Sequence, residues 1–287
     1  MAEPTVLELL ASAARRLEVA GIEEARLKAE WAMSRVLGCR RLELPLRSRE
    51  PLVPPAFRSF EAAVQRLAIG EPLQYVLGDV EFMGLVLKTD PRALIPRPET
   101  ELLVETVLAC RPLWDRARAP FLADVGTGTG CVVLALASRR PAARYLARDL
   151  NRPALDLARE NAIRLGLALR IEWAEGDLLE GVPAASLDAV VSNAPYVPTA
   201  QWETLTRSIR EFEPRTALDG GPDGLAVIRR LLPQTFTTLV TEGIVFLEIG
   251  DGQAGAVQSL MAECGFADIQ ARLDLSGRER VVFGAKR

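Results

Sequence analysis

Asn193, Ala194, Pro195 and Tyr196 bring a side-chain amide, backbone carbonyls, a chain-stiffening proline and an aromatic face together within four residues. That set can hold and polarise a planar amino group, with oxygen acceptors taking its N–H bonds and a ring flanking its plane. The run before it, Leu187-Asp188-Ala189-Val190-Val191, reads as a buried strand, so Asn193 falls at a strand's carboxyl end. In open α/β sheets the ligand crevice lies at those ends.

A second chemical segment lies upstream. Ala123-Asp124-Val125-Gly126-Thr127-Gly128-Thr129-Gly130 joins a short apolar strand to a helix. Glycines let the backbone turn sharply and approach a ligand without a Cβ clash. Free amides at the helix start complement a carboxylate or other anion. The dinucleotide fingerprint is G-x-G-x-x-G, yet here the third glycine comes one residue early and Cys131 holds its place. Asp149 ends the next strand, where a carboxylate accepts from ribose hydroxyls. Asp177 follows the third strand, placed to accept from an adenine amino group with Leu178 against the ring. Gly126, Thr127, Gly128, Thr129, Gly130, Asp149, Asp177 and Leu178 therefore describe a site for an adenosine-bearing ligand without a pyrophosphate, and S-adenosylmethionine fits. Plainer roles exist for each acidic residue: Asp177 can cap its loop and Asp149 can be a solvated strand end. Asn193 can likewise close an Asx turn, and Tyr196 can simply pack.

The elements that position these residues follow from the patterning. Residues 1 to about 85 read as a small helical domain. Thr5 caps a helix to about Ala20 with Leu7, Leu10, Ala14 and Leu17 on one stripe; Ile22 to Leu37 follows, closed by Gly38. A link with Pro51, Pro54 and Pro55 leads to a third helix over Phe57 to Ala68. Gln74 to Gly78 and Phe82 to Leu87 read as a hairpin connector reaching about 98, and Thr100 is a candidate helix cap. From 99 to 287 strands alternate with helices, which implies a parallel sheet covered on both faces. Strands are expected at Phe121–Val125, Arg144–Asp149, Arg170–Ala174, Leu187–Ser192 and Ile244–Ile249. A final hairpin, Asp268 to Leu275 and Glu279 to Phe283, makes the last strand antiparallel. The expected fold class is α/β: a doubly wound, Rossmann-like methyltransferase sheet with a C-terminal antiparallel hairpin, preceded by the small helical domain.

Composition narrows the chemistry. The 287 residues carry a formal net charge of -3, against a nucleic-acid backbone as partner. Histidine is absent, which removes the commonest general base and metal ligand. The four cysteines are scattered without a Cys-x-x-Cys pair, so no metal site and no disulfide framework is expected. No signal-like block and no run of the roughly 18 apolar residues a membrane helix needs is seen. The expectation is a cytoplasmic protein with no membrane association, most simply a monomer.

The chain resembles the bacterial release-factor glutamine methyltransferases nearly end to end. The markers are Gly70-Glu71-Pro72-Leu73-Gln74-Tyr75, Ile95-Pro96-Arg97-Pro98-Glu99-Thr100-Glu101, the Gly126 to Gly130 turn and the Asn193 to Tyr196 motif. Further on come Glu213-Pro214-Arg215, Ala217 to Gly224, and Gly277-Arg278-Glu279-Arg280-Val281-Val282. The family tetrad reads Asn-Pro-Pro-Tyr, so Ala194 is a departure; it keeps the carbonyl but loses proline's fixed φ. The resemblance implies N5-methylation, from S-adenosylmethionine, of the glutamine in a Gly-Gly-Gln loop of peptide-chain release factors. It implies that Asn193, Ala194, Pro195 and Tyr196 carry catalysis, with Asn193 also bordering the cofactor. Arg97 and Glu99 are expected near the methionine end of the cofactor, and the N-terminal helices to recognise the protein substrate. The tetrad alone is shared with adenine-N6 nucleic-acid methylases and with a ribosomal-protein glutamine methyltransferase. A binding module that has lost activity through Ala194 is the remaining alternative.

Overall fold

The computed structural model describes residues 4–287. The chain runs through helices α1 (Val6–Val19), α2 (Ala25–Leu37), α3 (Pro54–Ala68) and α4 (Leu73–Leu77), then a hairpin of β1 (Asp79–Phe82) and β2 (Leu85–Lys88). Next come α5 (Pro98–Ala109), α6 (Arg111–Trp114), β3 (Phe121–Val125), α7 (Cys131–Arg139), β4 (Arg144–Asp149) and α8 (Arg152–Arg164). The remainder is β5 (Ile171–Glu175), β6 (Leu187–Ser192), α9 (Arg207–Phe212), α10 (Ala226–Thr238), β7 (Leu239–Glu248), α11 (Ala254–Glu263), β8 (Phe266–Leu273) and β9 (Glu279–Lys286). Two compact units result: residues 1–79 with 206–212, and residues 80–205 with 213–287.

The first unit is helical. Thr5 closes a capping box, its hydroxyl accepting from the Glu8 amide at 3.3 Å while the Glu8 carboxylate accepts from the Thr5 amide at 2.9 Å. Thr5→Ala is expected to cost about 1 kcal/mol, measured as a lower denaturation midpoint. The buried stripe of α1 is Val6, Leu9, Ala13 and Leu17; of the four residues expected there only Leu17 is buried, and Leu7 stands 57% exposed. Both stripes share the helical spacing, and the inward one is that which meets Met33 and Phe60. Pro54 and Pro55 open α3 rather than precede it, because the first helical positions need no amide proton. A 3-10 segment over Arg41–Arg47, which no helical apolar stripe marks in the sequence, lies between α2 and α3.

The expected first strand of the connector is instead the short helix α4, stopped by Gly78 at φ 81°. The hairpin sits later, over β1 and β2, turning through Met83 and Gly84, both at positive φ, as two-residue hairpin turns require. Met83 is held there by its amide, which donates to Glu101 at 2.7 Å, and its carbonyl, which accepts from Arg139 at 2.9 Å.

The second unit is a seven-stranded sheet in the order β5-β4-β3-β6-β7-β9-β8. Strands β3 to β7 are parallel; β9 runs antiparallel to β7, and β8 antiparallel to β9. All six residues of β6 are buried, as a sheet covered on both faces demands. Its one charge, Asp188, is answered by Arg116, Arg118 and the Phe121 amide. Strand order reverses between β3 and β6, which pair with Val125 opposite Ser192. The glycine turn and the Asn193 segment therefore leave adjacent strand ends at the switch point where such sheets bind ligands.

Candidate active site

The turn after β3 is fixed by backbone bonds to the neighbouring strand. Amides of Gly126 and Thr127 both donate to the Arg148 carbonyl at 2.9 Å, and the Gly128 amide donates to Asp149 Oδ2 at 2.9 Å. Gly126, Gly128 and Gly130 all have positive φ. A Cβ on Gly130 would lie 3.1 Å from Ala158 Cβ, so this glycine lets α8 pack close. A Cβ on Gly126 would meet nothing within 4 Å, so the turn is open on that side. Beneath it, buried Asp124 accepts from the Thr127 hydroxyl at 2.7 Å and the Val133 amide at 3.2 Å. Burial pushes the Asp124 carboxyl up to about 7, with the nearby Asp149 charge adding to the rise. Asp149 is also raised by burial, against the pull of the Gly128 and Asn151 amides.

Asn161 of α8 braces this turn. Its Nδ2 donates to the carbonyls of Thr129 and Lys88, each at 3.0 Å, and its Oδ1 accepts from the Lys88 amide at 2.7 Å. No sequence motif marks Asn161 or Asp124 as part of a site. A lone polar residue on an otherwise buried helix face was the available signal for the first.

At the next strand end, Asn193 Nδ2 donates to Thr100 Oγ1 at 3.1 Å. Neither Asn193 Oδ1 nor the Ala194 carbonyl accepts a hydrogen bond from the described residues. Thr100 is not a cap: Arg97 holds that position, Pro98 enters the helix, and Thr100 lies buried in the first turn of α5. Tyr196 donates its hydroxyl to Glu248 Oε1 at 3.4 Å, and its carbonyl accepts from Gln253 Nε2 at 2.9 Å. The Gln253 Oε1 atom in turn takes the Gly250 amide at 2.8 Å. Burial raises the Tyr196 hydroxyl, as does the Glu248 charge. Glycines of the 217–224 segment press on the tetrad backbone: a Cβ on Gly220 would stand 2.6 Å from the Pro195 carbonyl. The Glu248 carboxyl is pushed up to about 7, chiefly by burial.

The structure thus brings the turn, Asp149 and the tetrad to neighbouring strand ends. Gly176, leading to Asp177, donates its amide to the Asp149 carbonyl at 3.0 Å, but the Asp177 carboxylate itself is paired with Arg230. Leu178 adopts φ 49° and packs on the core face. Arg97 is ion-paired with buried Glu213, whose second oxygen accepts from the Ile95 amide at 3.1 Å. Arg97 and Glu99 act electrostatically on Tyr196 and Glu248 respectively, so both stand on the tetrad side. Trp173 and Phe82 belong to the core. Among the described residues no metal-holding cluster occurs, and all four cysteines are free.

Ala194 lies beyond the end of β6, and its amide donates to no backbone carbonyl among the described residues, so a proline there would forfeit no such bond. Ala194→Pro is expected to fold, to gain about 0.4–1 kcal/mol through a stiffer unfolded chain, and to raise the single-turnover rate. A slower enzyme would mean the carbonyl is already better placed than a proline allows.

A parallel sheet with a reversed strand inserted beside β7, a glycine turn at the switch point and the adjacent Asn193-Ala194-Pro195-Tyr196 segment at the next strand end are the features of a methyltransferase. Residues 8–78 match the family model described as "PrmC N-terminal domain", and residues 99–241 match "Methyltransferase small domain". A solved methyltransferase from Pyrococcus furiosus shares the fold (TM-score 0.51, 17% identity, 71% of this chain and 89% of that one). So does the hMettl16 catalytic domain (TM-score 0.57, 13% identity, 80% and 82%). "Release factor glutamine methyltransferase" of Moorella thermoacetica is 42% identical over 99% of both chains. The Geobacter sulfurreducens protein of that name is 40% identical over 92% of this chain and 90% of its own. The chain belongs to the release factor glutamine methyltransferase family.

Proposed function

We propose that this enzyme methylates the side-chain amide nitrogen of the glutamine in the Gly-Gly-Gln loop of peptide-chain release factors, with S-adenosylmethionine as donor. The observation that carries the reading is the pair of unpartnered oxygens, Asn193 Oδ1 and the Ala194 carbonyl, at the strand end beside the glycine turn. An amide NH₂ offers two N–H donors, one for each oxygen. Its nitrogen is a poor nucleophile, because the lone pair is delocalised into the carbonyl. Two fixed acceptors orient that nitrogen and stabilise the positive charge growing on it as it is alkylated, with Tyr196 flanking the amide plane. Once alkylated, the nitrogen is strongly acidic, so no base is needed before attack and the missing histidine is no obstacle.

The residues fit an adenosyl donor. The turn 126–130 is open above Gly126, and the Asp149 carboxylate, with capacity beyond the two amides it accepts, suits ribose hydroxyls. Asp177 would reach an adenine amino group on exchanging its Arg230 partner, with Leu178 against the ring, and Arg97 and Glu99 flank the methionine end. When bound, the donor supplies an electrophilic methyl group on a sulfonium. The helical unit supplies the recognition surface for the factor, supported by exposed Leu42 and Leu46 on its 41–47 segment. The unpaired thiols suit a cytoplasmic setting.

Incubation with labelled donor and, separately, release factor, ribosomal protein or DNA tests this reading, followed by mapping of the modified residue. Label on the Gly-Gly-Gln glutamine is expected. Label on DNA or on a ribosomal-protein glutamine alone would overturn the substrate assignment, and no label anywhere would mean the site is inactive.

A further inference from the structure

We propose that Thr100 and Glu248 are positioning residues that set which way round the Asn193 amide stands. The inference rests on the reading of Asn193 Oδ1 as an acceptor for the substrate amide. Thr100 Oγ1 accepts a hydrogen bond from Asn193 Nδ2 at 3.1 Å. The Thr100 hydroxyl, only 2% exposed, also reaches the Glu248 carboxyl as a hydrogen-bond donor that favours its ionised form. Beside it lies the fully buried side chain of Glu248, whose Oε2 has no hydrogen-bond partner among the described residues. A buried hydroxyl proton beside a buried carboxylate with an open oxygen is complementary to it, and keeping the two apart would cost about 1–3 kcal/mol per group.

Polarity follows from the donor inventory. An ionised carboxylate only accepts, so Thr100 gives its single proton to Glu248 and has only lone pairs to offer Asn193. Nδ2 must then face Thr100 and Oδ1 must face the site. The same carboxylate holds the Tyr196 hydroxyl through Oε1, so one buried charge orients both ends of the tetrad from behind. A protonated Glu248 could donate to Thr100 instead. That would free the Thr100 proton for Asn193 Oδ1 and invert the amide, setting Nδ2 against the substrate's own N–H groups.

The groups around Glu248 are Arg280 on β9 and the Thr100 and Tyr196 hydroxyls, which favour ionisation, and Glu99 on α5, which with burial opposes it. Burial pushes the thiol of Cys131, at the start of α7, up to about 12, with the Asp124 and then the Glu248 charge adding to the rise, so it stays neutral. The balance leaves the carboxyl titrating at about 7. Because the ionised form orients Asn193, transfer is supported above that pH and lost as pH falls through it.

The test is single-turnover methylation of release factor at saturating donor, followed from acid to alkaline pH. Wild type is expected to rise to a plateau with a midpoint at about 7. Glu248→Gln is expected to be about 10–100-fold slower with that acid limb gone, its fold by circular dichroism and its donor affinity unchanged. Thr100→Val is expected to be slowed similarly, and Thr100→Ser to rescue both rate and limb. Wild-type rates in Glu248→Gln or Thr100→Val, or an acid limb that persists in Glu248→Gln, would overturn the proposal. Asn193→Ala in the same assay separates the two readings: activity there refutes the acceptor assignment itself, while inactivity beside a fully active Glu248→Gln refutes the positioning role alone.

Discussion

Asn193→Ala is expected to slow methyl transfer by about 10²–10³-fold while donor affinity changes little. On the proposed mechanism the side chain contributes one of two oxygens aimed at the nitrogen, and that oxygen matters most when charge develops there. Before attack it makes an ordinary hydrogen bond; during attack the N–H groups become far stronger donors, so its loss falls on the chemical step. The truncation also releases the Thr100 hydroxyl but removes no bond from the glycine turn, whose partners are Arg148, Asp149 and Asn161. Single-turnover rates and equilibrium donor binding, measured on the same protein, separate the two contributions. Transfer at the wild-type rate would mean that the amide is held elsewhere.

Gly224→Ala is expected to be the most damaging small substitution outside the tetrad. Gly224 has φ 78°, and an added Cβ would stand 2.3 Å from the Tyr196 carbonyl and 2.6 Å from Gln253 Nε2. The left-handed conformation costs an alanine about 1–2 kcal/mol. Overpacking adds about 1–3 kcal/mol, because the atoms that must yield include backbone. A total of about 3 kcal/mol corresponds to a fall in Tm of roughly 6–12 °C for a chain of this size. Relaxation by pushing Tyr196 aside would also break its bond from Gln253 and misplace the ring, so residual folded enzyme should transfer poorly. Gly252→Ala is the control: φ is 75° there, yet nothing lies within 4 Å, so only the backbone cost applies. Equal melting temperatures for the two variants would show that the tetrad does not lean on Gly224.

The sheet was legible because its signals are local. Apolar runs such as Leu187–Ser192 and turn residues such as Gly126–Gly130 mark strands and their ends whatever surrounds them, and Ser276-Gly277 marks the last hairpin. The placement of Asn193 beside the glycine turn also follows, once both are assigned to strand ends of one parallel sheet. What failed depended on partners distant in sequence. The α1 stripe could be rotated either way until α2 and α3 chose Val6 and Leu9. Gln74–Leu77 has strand-like residues, but Pro72 before it and Gly78 after it suit one helical turn. Thr100 has the look of a cap because threonine is favoured at helix N-caps. Its hydroxyl serves Asn193, 93 positions away, and no local pattern encodes that. In the sequence Glu248 is simply an acidic residue near the end of an apolar run; its burial and its open oxygen appear only in three dimensions.

The brace made by Asn161 has a thermodynamic consequence. One amide group fastens the Lys88 backbone at the end of β2 and the Thr129 carbonyl of the glycine turn at once, using both of its protons. The hairpin and the turn therefore open and close as one cooperative unit rather than as two independent loops. Whatever orders the turn lends its free energy to the hairpin, so residues that never touch a ligand share in the stability it confers.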